Sequence, residues 1–340
     1  MHNTKLITVV IPTFNRVELL KKAYESCKAQ YSHEFDLIIT DNASSDGTKE
    51  YLLEIEKQGL ITNLLIRDQN DGPLISLTDA LSYVKTKWVT ILCDDDFFEP
   101  DFIESLLPIL QETSKALIIM GFRTINQEGT ETSYLIPSVE LIETNAAVSQ
   151  MLAGKIQVAG ISGFIVTNDY IVRNPLKDYP KGFLTDTILM IGAALEGGCE
   201  TVNKCLYNRL VWDGAESVAS VKNMKLYFSA LLLFGSDLKV LSTKYDLNVN
   251  TIKAISTPQS LWTFFKIIIM PSLVNTTLTY QDAMDFWHIA SNQDKRYRLH
   301  VFLLYFFLPF LTKGSLQMRK YLYFKLRSIK RRFKEHSSLN

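Results

Sequence analysis

Three consecutive aspartates, Asp94-Asp95-Asp96, follow an apolar run, Trp88–Cys93, that has the composition of a buried strand. Adjacent carboxylates repel one another, and no structural need places three of them beside a buried strand. A divalent cation would neutralise them, because Mg²⁺ and Mn²⁺ take carboxylate oxygens as ligands and share their remaining positions with substrate phosphates. The sequence therefore predicts a divalent cation site, Mn²⁺ or Mg²⁺, at Asp94, Asp95 and Asp96.

Two further polar clusters follow predicted strands. Pro12-Thr13-Phe14-Asn15-Arg16 comes after the apolar run Leu6–Ile11, and Asp41-Asn42-Ala43-Ser44-Ser45-Asp46-Gly47-Thr48 comes after Phe35–Thr40. In open α/β sheets, ligands bind beyond the carboxyl ends of the strands. We therefore expect these two clusters and the aspartates to meet in one crevice.

The elements that position these clusters alternate strand-like runs with segments of helical spacing over the first 120 residues. Such alternation predicts an α/β fold, with a mostly parallel sheet and helices on both faces. The predicted strands are Leu6–Ile11, Phe35–Thr40, Leu60–Arg67, Trp88–Cys93 and Ala116–Phe122, and the predicted helices are Val17–Tyr31, Asp46–Lys57 (capped by Ser45 or Asp46), Leu74–Val84 and Phe102–Glu112.

The chain is less regular after residue 122. We predict helices at Thr144–Leu152 and Leu184–Leu195, and strands at Ser162–Thr167 and Leu206–Trp212. From about residue 220 the pattern is helical only. This change predicts a first domain over residues 1–218 and a C-terminal helical region over 219–340.

Composition excludes several classes of protein. The 340 residues carry 36 basic and 36 acidic side chains, so wholesale nucleic-acid binding is not expected. The four cysteines lack metal-site spacing, and Cys27 and Cys93 are predicted to be small core residues. We see no signal peptide, and the apolar stretches are shorter than the roughly 20 residues that span a bilayer, so a cytoplasmic location is expected.

The three clusters, in this order and at this spacing, resemble glycosyltransferase family 2, whose members are inverting sugar-nucleotide enzymes with a GT-A fold. The motifs are Ile11-Pro12-Thr13-Phe14-Asn15-Arg16, Asp41 to Thr48, Asn70-Asp71-Gly72, and Ile91 to Asp101. They cover residues 5–110 well and 160–220 loosely. The triple aspartate is similar to the abequosyltransferase-like subgroup that builds bacterial surface polysaccharides.

The resemblance implies roles for individual residues. The residues after the first strand would line the nucleoside pocket, Asp41 would bind the base, and Asp94 would contact the ribose or the metal. Asp95 and Asp96 would be the metal positions of a DXD-type motif. The implied donor-binding residues are Pro12, Thr13, Phe14, Asn15, Arg16, Asp41, Asn70, Asp71 and Asp94.

One position departs from the family pattern. The family often carries an Ala-Arg-Asn run about seven residues after the Asn-x-Gly, and its Arg helps to hold the diphosphate or sugar. Leu77 and Thr78 stand there in this chain. The diphosphate charge must then be met by the metal, by Arg16 or by a later residue.

A glycosyl transfer also needs a general base for the acceptor hydroxyl. The resemblance points to Asp186, at the start of a predicted helix, although Thr185 replaces the acid that usually precedes it. A structural interpretation of Asp186 is an acid favoured by the helix dipole. Asp169 and Asp178 are weaker alternatives.

Two segments match the family loosely. Gly160 to Phe164 resembles an acceptor-side strand, but a plain sheet strand is an equal interpretation. The closing segment often carries a His near the diphosphate; Trp212 or Asp213 stands there, and no role is assigned to either.

Residues 313–334 contain nine Lys or Arg and no acidic residue, with Met318, Leu322, Leu326, Ile329 and Phe333 on one helical face. A basic amphipathic helix predicts a membrane-surface anchor. A solvated face on a helix packed against the first domain and a nucleic-acid contact are the alternatives.

Together these features predict a hexosyl- or N-acetylhexosaminyltransferase. It would carry a sugar, from UDP, to a lipid-linked glycan of capsule, O-antigen or cell wall on the inner face of the cell membrane. Two alternatives remain open. One is a non-catalytic nucleotide-sugar-binding protein, and the other is a sugar nucleotidyltransferase, although the Gly-rich basic loop of that class is missing after the first strand.

Overall fold

The computed structural model describes residues 5–137, 141–152, 156, 160–178, 185–212, 214–215, 241 and 244–245. The strands are β1 (Ile7–Thr13), β2 (Phe35–Asp41), β3 (Asn63–Ile66), β4 (Trp88–Ile91), β5 (Phe97–Phe98), β6 (Leu117–Ile125), β7 (Glu131–Leu135), β8 (Leu141–Ile142), β9 (Phe164–Thr167) and β10 (Cys199–Leu210). The helices are α1 (Val17–Lys28), α2 (Thr48–Glu56), α3 (Pro73–Leu81), α4 (Phe102–Glu112), α5 (Thr144–Leu152), α6 (Asn168–Arg173) and α7 (Thr185–Gly197).

The strands form one sheet in the order β3-β2-β1-β4-β9-β6-β10-β5, with β7 beside β6 and β8 beside β10. The first four strands of this order are parallel, as the alternating sequence pattern predicts. Strand β9 is antiparallel to both β4 and β6, so the second half of the sheet is mixed. The chain reverses direction at the β6–β7 hairpin, and β7, β8 and β9 all run opposite to β6.

Helices cover both faces of the sheet, which confirms the predicted α/β architecture. Alternate side chains of β1 point to opposite faces. Ile7, Val9 and Ile11 pack with α1, α2 and α4, whereas Val10 packs with α3, α5, α6 and α7. The sheet is therefore buried on both faces, and the polar clusters lie at the carboxyl ends of the strands.

Helix α2 begins at Thr48, two residues later than predicted, because a glycine in the left-handed conformation precedes it. Gly47 has φ of 93° and occupies the N-cap position, so the prediction of Ser45 or Asp46 as the cap is wrong. Asp46 instead joins two helix starts. Its carboxylate accepts hydrogen bonds from the backbone N–H of Val17 at 3.0 Å and of Thr48 at 3.2 Å.

Strand β10 is longer than predicted, and it runs parallel to β6 with two register shifts after Val202. Strand β9 begins at Phe164, because the predicted strand residues Ser162 and Gly163 belong to the preceding turn. Both differences lie beside the acidic run. Phe97 and Phe98 pair with Asn208 and Tyr207 near the end of β10.

Beyond residue 215 the structure describes Leu241, Lys244 and Tyr245 alone. Leu241 is buried in the core cluster of α7, and the Tyr245 hydroxyl donates a hydrogen bond to Glu196 at 2.7 Å. The other predicted C-terminal helix residues and the basic segment 313–334 lie outside the described residues, and the division at residue 218 stays a prediction. In the part of the chain described, no helix has the length and apolar character required to cross a membrane.

Candidate active site

The carboxyl ends of β1, β2 and β4 meet at one edge of the sheet. Thr13, the last residue of β1, pairs in register with Asp41, the last residue of β2. Val10 pairs with Ile91 at the end of β4, three residues before the start of the acidic run. The structure thus brings the three polar clusters to the same edge, as the strand order requires.

Asp94 is held by the last residue of β1 and by the loop that follows this strand. Its carboxylate accepts a hydrogen bond from the Thr13 hydroxyl at 2.9 Å and from the Arg16 guanidinium at 3.0 Å. Only 4% of Asp94 is exposed. Burial raises the pKa of Asp94 to about 6, an effect that the nearby Arg16 charge partly offsets.

Asp95 and Asp96 form a separate group with Cys93. One potential ligand atom from each of these three residues lies within 4.8 Å of the others. Burial, together with the Asp95 charge, raises the pKa of Asp96 to about 7. Asp96 also accepts a hydrogen bond from the backbone N–H of Leu210 at 3.2 Å.

The chemistry of this donor set fits a hard divalent cation. Burial and the adjacent carboxylates raise the pKa of the Cys93 thiol well above its usual value, and a thiol that keeps its proton is a poor ligand. Two carboxylates then remain, which suit Mg²⁺ or Mn²⁺. Asp94 is not a member of this group, so its predicted metal role remains a prediction.

Trp212 and Arg16 converge on Asp95. The Trp212 indole N–H donates a hydrogen bond of 3.0 Å to Asp95 Oδ2, and Arg16 Nη1 lies 3.8 Å from the same oxygen. The Arg16 guanidinium carbon stands 5.5 Å from the centre of the indole ring, within cation–π distance. Positive charge is therefore already present beside the acidic pair.

The loops after β1 and β2 are tied together by Asn15. This residue has φ of 53°, an uncommon backbone conformation for a residue other than glycine. Its side-chain oxygen accepts a hydrogen bond from the Ser45 N–H at 2.7 Å, and its own N–H donates to the Ser44 hydroxyl at 2.8 Å. The turn presents the preceding Phe14 to solvent, with 39% of that residue exposed.

The buried Asp41 anchors the loop that follows it. Its carboxylate accepts hydrogen bonds from the backbone and the hydroxyl of Ser44, and burial raises its pKa. The next residue, Asn42, donates to the Asn70 side-chain oxygen at 2.8 Å, and the same oxygen accepts the Gly72 N–H at 2.9 Å. The Asn70-Asp71-Gly72 loop is thereby fastened to the end of β2.

Leu77, at the position of the family's expected arginine, is a core residue with 6% of its surface exposed. The cation of this region is Arg67, which sequence reasoning did not single out. Its guanidinium binds the carboxylates of Asp71 and Asp79. Asp71 is therefore already paired, and its predicted contact with the donor remains a prediction.

Asp186 lies in the first turn of α7. A Cβ built on Gly197, the last residue of that helix, would stand 2.9 Å from Ala116, which precedes β6. The 13-residue helix is about 20 Å long. The helix packs along β6 and β9, and its last turn lies at the edge of the sheet where β6 begins. Its first turn therefore lies toward the opposite edge of the sheet, which carries the acidic run.

The two alternative bases are placed differently. Asp169 follows β9 at the opposite edge, where the N–H of the adjacent Asn168 donates to the Lys87 carbonyl before β4. Its exposed carboxylate pairs with Arg173. Asp178 is exposed, and its neighbour Lys177 bonds to Thr78 in the second half of α3. Neither is a better candidate than Asp186.

A family model, "Glycosyl transferase family 2", matches residues 8–176. These residues include the ends of β1, β2 and β4 with all three acidic and polar clusters. The chain belongs to glycosyltransferase family 2.

Named relatives are similar to this family 2 chain over part of their length. A "Putative teichuronic acid biosynthesis glycosyltransferase TuaG" of Bacillus subtilis is 26% identical over 153 residues, which are 45% of this chain and 61% of the relative. A "GalNAc(5)-diNAcBac-PP-undecaprenol beta-1,3-glucosyltransferase" of Campylobacter jejuni is 34% identical over 91 residues, 26% of this chain and 29% of the relative. The chain thus spans less than two thirds of either protein.

Solved structures show the GT-A fold expected of family 2. S. aureus TarS residues 1–349, in complex with UDP-GlcNAc, matches with a TM-score of 0.68 and 14% identity, over 95% of this chain and 92% of that chain. The mannosyltransferase PcManGT from Pyrobaculum calidifontis, in complex with GDP-Man and Mn²⁺, matches with a TM-score of 0.52 and 13% identity, over 92% of this chain and 85% of that chain.

The sequence did not indicate the place of three residues of the candidate site. Cys93 was predicted to be a core residue, but it is only half-buried and lies beside the acidic pair. Ser162 is fully buried and accepts the Cys93 N–H at 3.0 Å. Trp212 had no assigned role. The available signals were the Cys beside the aspartates and the small-residue run around Ser162.

Proposed function

We propose that the chain is an inverting, metal-dependent glycosyltransferase that uses a nucleotide-sugar donor, a UDP-sugar. The acceptor is a hydroxyl of a lipid-linked glycan in bacterial surface polysaccharide biosynthesis. The observation that carries this proposal is the pairing of Asp95 with Asp96 at the edge where Thr13 and Arg16 hold Asp94. Such an edge combines a cation site with groups for a nucleotide.

Each part of the donor has a matching group at this edge. When bound to Asp95 and Asp96, a divalent cation neutralises charge on the departing diphosphate. Arg16 adds a fixed positive charge beside Asp94 and Asp95. The exposed ring of Phe14 offers a face for the base, since aromatic rings stack with one another.

Asp186 is the proposed general base. It lies in the first turn of α7, and its carboxylate accepts the backbone N–H of Thr187 at 2.6 Å. The acceptor hydroxyl must lose its proton as it attacks the anomeric carbon, and a positioned carboxylate accepts that proton. Attack from the face opposite the leaving diphosphate inverts the configuration.

The acceptor and the location are inferred from the name of one relative and from the charge of one segment. The Campylobacter relative is named for a glycan on undecaprenol diphosphate, which is a membrane lipid carrier. Residues 313–334, which lie outside the described residues, carry nine basic side chains and no acidic one. We therefore infer a peripheral association with the inner face of the cell membrane, where anionic lipids attract such segments.

The experiment starts from the full-length chain and a panel of nucleotide sugars with Mn²⁺. A bound donor should raise the melting temperature, because a ligand that binds only the folded state stabilises it. The donor that stabilises most is then tested for sugar transfer to lipid-linked acceptors extracted from bacterial membranes. We expect transfer, with release of the nucleoside diphosphate.

Variants make the result specific. Asp95→Asn with Asp96→Asn should abolish transfer, whereas Asp169→Asn, at the opposite edge, should retain it. Stabilisation by a donor without turnover would favour the non-catalytic alternative. Pyrophosphate formation from a nucleoside triphosphate and a sugar phosphate would favour the nucleotidyltransferase.

A further inference from the structure

The end of β10 holds both carboxylates of the acidic pair. The backbone N–H of Leu210 donates to Asp96 Oδ1 at 3.2 Å, and two residues later the indole N–H of Trp212 donates to Asp95 Oδ2 at 3.0 Å. Strand β10 runs between β6 and β5, so this end is fixed by the sheet. One rigid segment thus sets the orientation of both candidate metal ligands.

We propose that Trp212 is a positioning residue for the metal site, which it serves by fixing Asp95; this inference rests on the proposed function. An indole N–H only donates, so it orients one carboxylate oxygen without competing as a ligand. Arg16 approaches the same Oδ2. In the described part of the chain both contacts fall on Oδ2, and Oδ1 is the oxygen that would face a cation.

The indole itself is held in place by a compact turn. The Ala215 N–H donates to the Trp212 carbonyl at 3.1 Å and closes the turn over Gly214. A Cβ at Gly214 would stand 2.2 Å from a carbon of the indole ring, closer than atoms can approach. Glycine at this position therefore lets the ring lie where its N–H reaches Asp95.

Residues that hydrogen-bond to a metal ligand contribute to metal affinity. They fix the orientation of the ligand, and their loss typically weakens metal affinity by about 10- to 100-fold. Trp212→Phe is the sharpest change, because it keeps an aromatic ring beside Arg16 and removes the N–H. Gly214→Ala tests the same point independently, by displacing the ring.

The test is a titration of the full-length chain with Mn²⁺, with and without UDP, followed by calorimetry or by the electron paramagnetic resonance of free Mn²⁺. We expect Trp212→Phe to weaken Mn²⁺ binding by about 10-fold or more. Its melting temperature in chelator should stay close to that of the wild type. In the transfer assay, the Mn²⁺ concentration for half-activation should rise, while kcat at saturating Mn²⁺ is largely retained.

Trp88→Phe is a matched control, because it also removes an indole N–H that is hydrogen-bonded, here to the Leu110 carbonyl at 3.0 Å in the core. It should lower the melting temperature and leave Mn²⁺ affinity unchanged. Equal or tighter Mn²⁺ binding by Trp212→Phe would overturn the positioning role and leave the proposed function intact. A wild-type chain that binds no Mn²⁺, with or without UDP, would overturn both.

Discussion

The hydroxyl of Thr13, at the end of β1, donates a hydrogen bond of 2.9 Å to Asp94, just after β4. Both residues are buried, and the two strands are neighbours in the sheet. This bond joins the first polar cluster to the acidic run. It also separates Asp94, which β1 holds, from Asp95 and Asp96, which the end of β10 holds.

Thr13→Val should destabilise the protein at neutral pH. Valine has nearly the shape of threonine but cannot donate, so the buried Asp94 carboxylate loses one of its partners. A loss of this kind costs about 1–3 kcal/mol. We expect a smaller loss at pH 5, since the pKa of Asp94, about 6, leaves its carboxyl mostly protonated there. Denaturant unfolding at both pH values measures this, and an equal loss would contradict the assignment.

Without metal, the protein should lose stability as the pH rises from about 4 to 7. Burial raises the pKa of Asp96 to about 7 in the folded state, above the usual 3.8. Between these values the folded state holds a proton that the unfolded state has released, so the free energy of unfolding falls with pH. The slope is up to about 1.4 kcal/mol per pH unit for each such group.

The pH dependence can be assigned by substitution. Unfolding is followed in chelator at several pH values for the wild type and for Asp96→Asn. The variant should show a flatter profile, because its amide does not ionise. A profile that stays as steep as that of the wild type would place the proton elsewhere.

Cys93→Ser should leave Mn²⁺ affinity within about threefold of the wild type. The thiol keeps its proton at neutral pH, since burial and the neighbouring acids raise its pKa well above the ordinary value. A protonated thiol contributes little to the binding of a hard cation. Calorimetric titration with Mn²⁺ measures this. A large loss of affinity would make Cys93 a ligand and would change the class of metal expected.

Asp186→Asn should lower kcat by about 100- to 10,000-fold, the range for loss of a general base. Affinity for Mn²⁺ and UDP should be unchanged, because the group acts on the acceptor. Asp169→Asn removes a carboxylate from the opposite edge and should retain kcat. Steady-state kinetics on both variants decide the point, and a similar loss in both would remove the case for Asp186.

Leu77→Arg should destabilise the protein and should not create the diphosphate contact that the family's arginine provides. Leu77 is 6% exposed, and a charge placed there would be desolvated among apolar side chains. Leu53→Arg makes the same exchange on α2, where the leucine is 43% exposed, and should have little effect. Melting temperatures compare the two variants. Tighter binding of UDP by a stable Leu77→Arg protein would contradict this expectation.

Local sequence patterns predicted the parallel half of the fold well. Helices Phe102–Glu112 and Thr144–Leu152 have the predicted bounds. The direction of β9 was not predictable in the same way. It depends on the reversal of the chain at the β6–β7 hairpin and on pairing with β4 and β6, strands that are distant in the sequence.

In the candidate site, too, residues adjacent in sequence were predictable and contacts between distant residues were not. Asp94, Asp95 and Asp96 are neighbours in sequence, and their types alone indicated a cation. The residues that orient them come from elsewhere: Trp212 is 117 positions from Asp95, and Ser162 is 69 positions from Cys93. No local pattern records such pairs, because the sheet creates them by placing β9 and β10 beside the acidic run.

Leu241 has a practical consequence for anyone who cuts this chain into fragments. A recombinant fragment ending at residue 218 would lose the leucine that packs beside Gly192 and would leave apolar surface uncovered on α7. The same helix begins with Thr185 and Asp186, so the truncation would loosen the support of the proposed base. A fragment that extends through Tyr245, whose hydroxyl binds Glu196, keeps that helix covered.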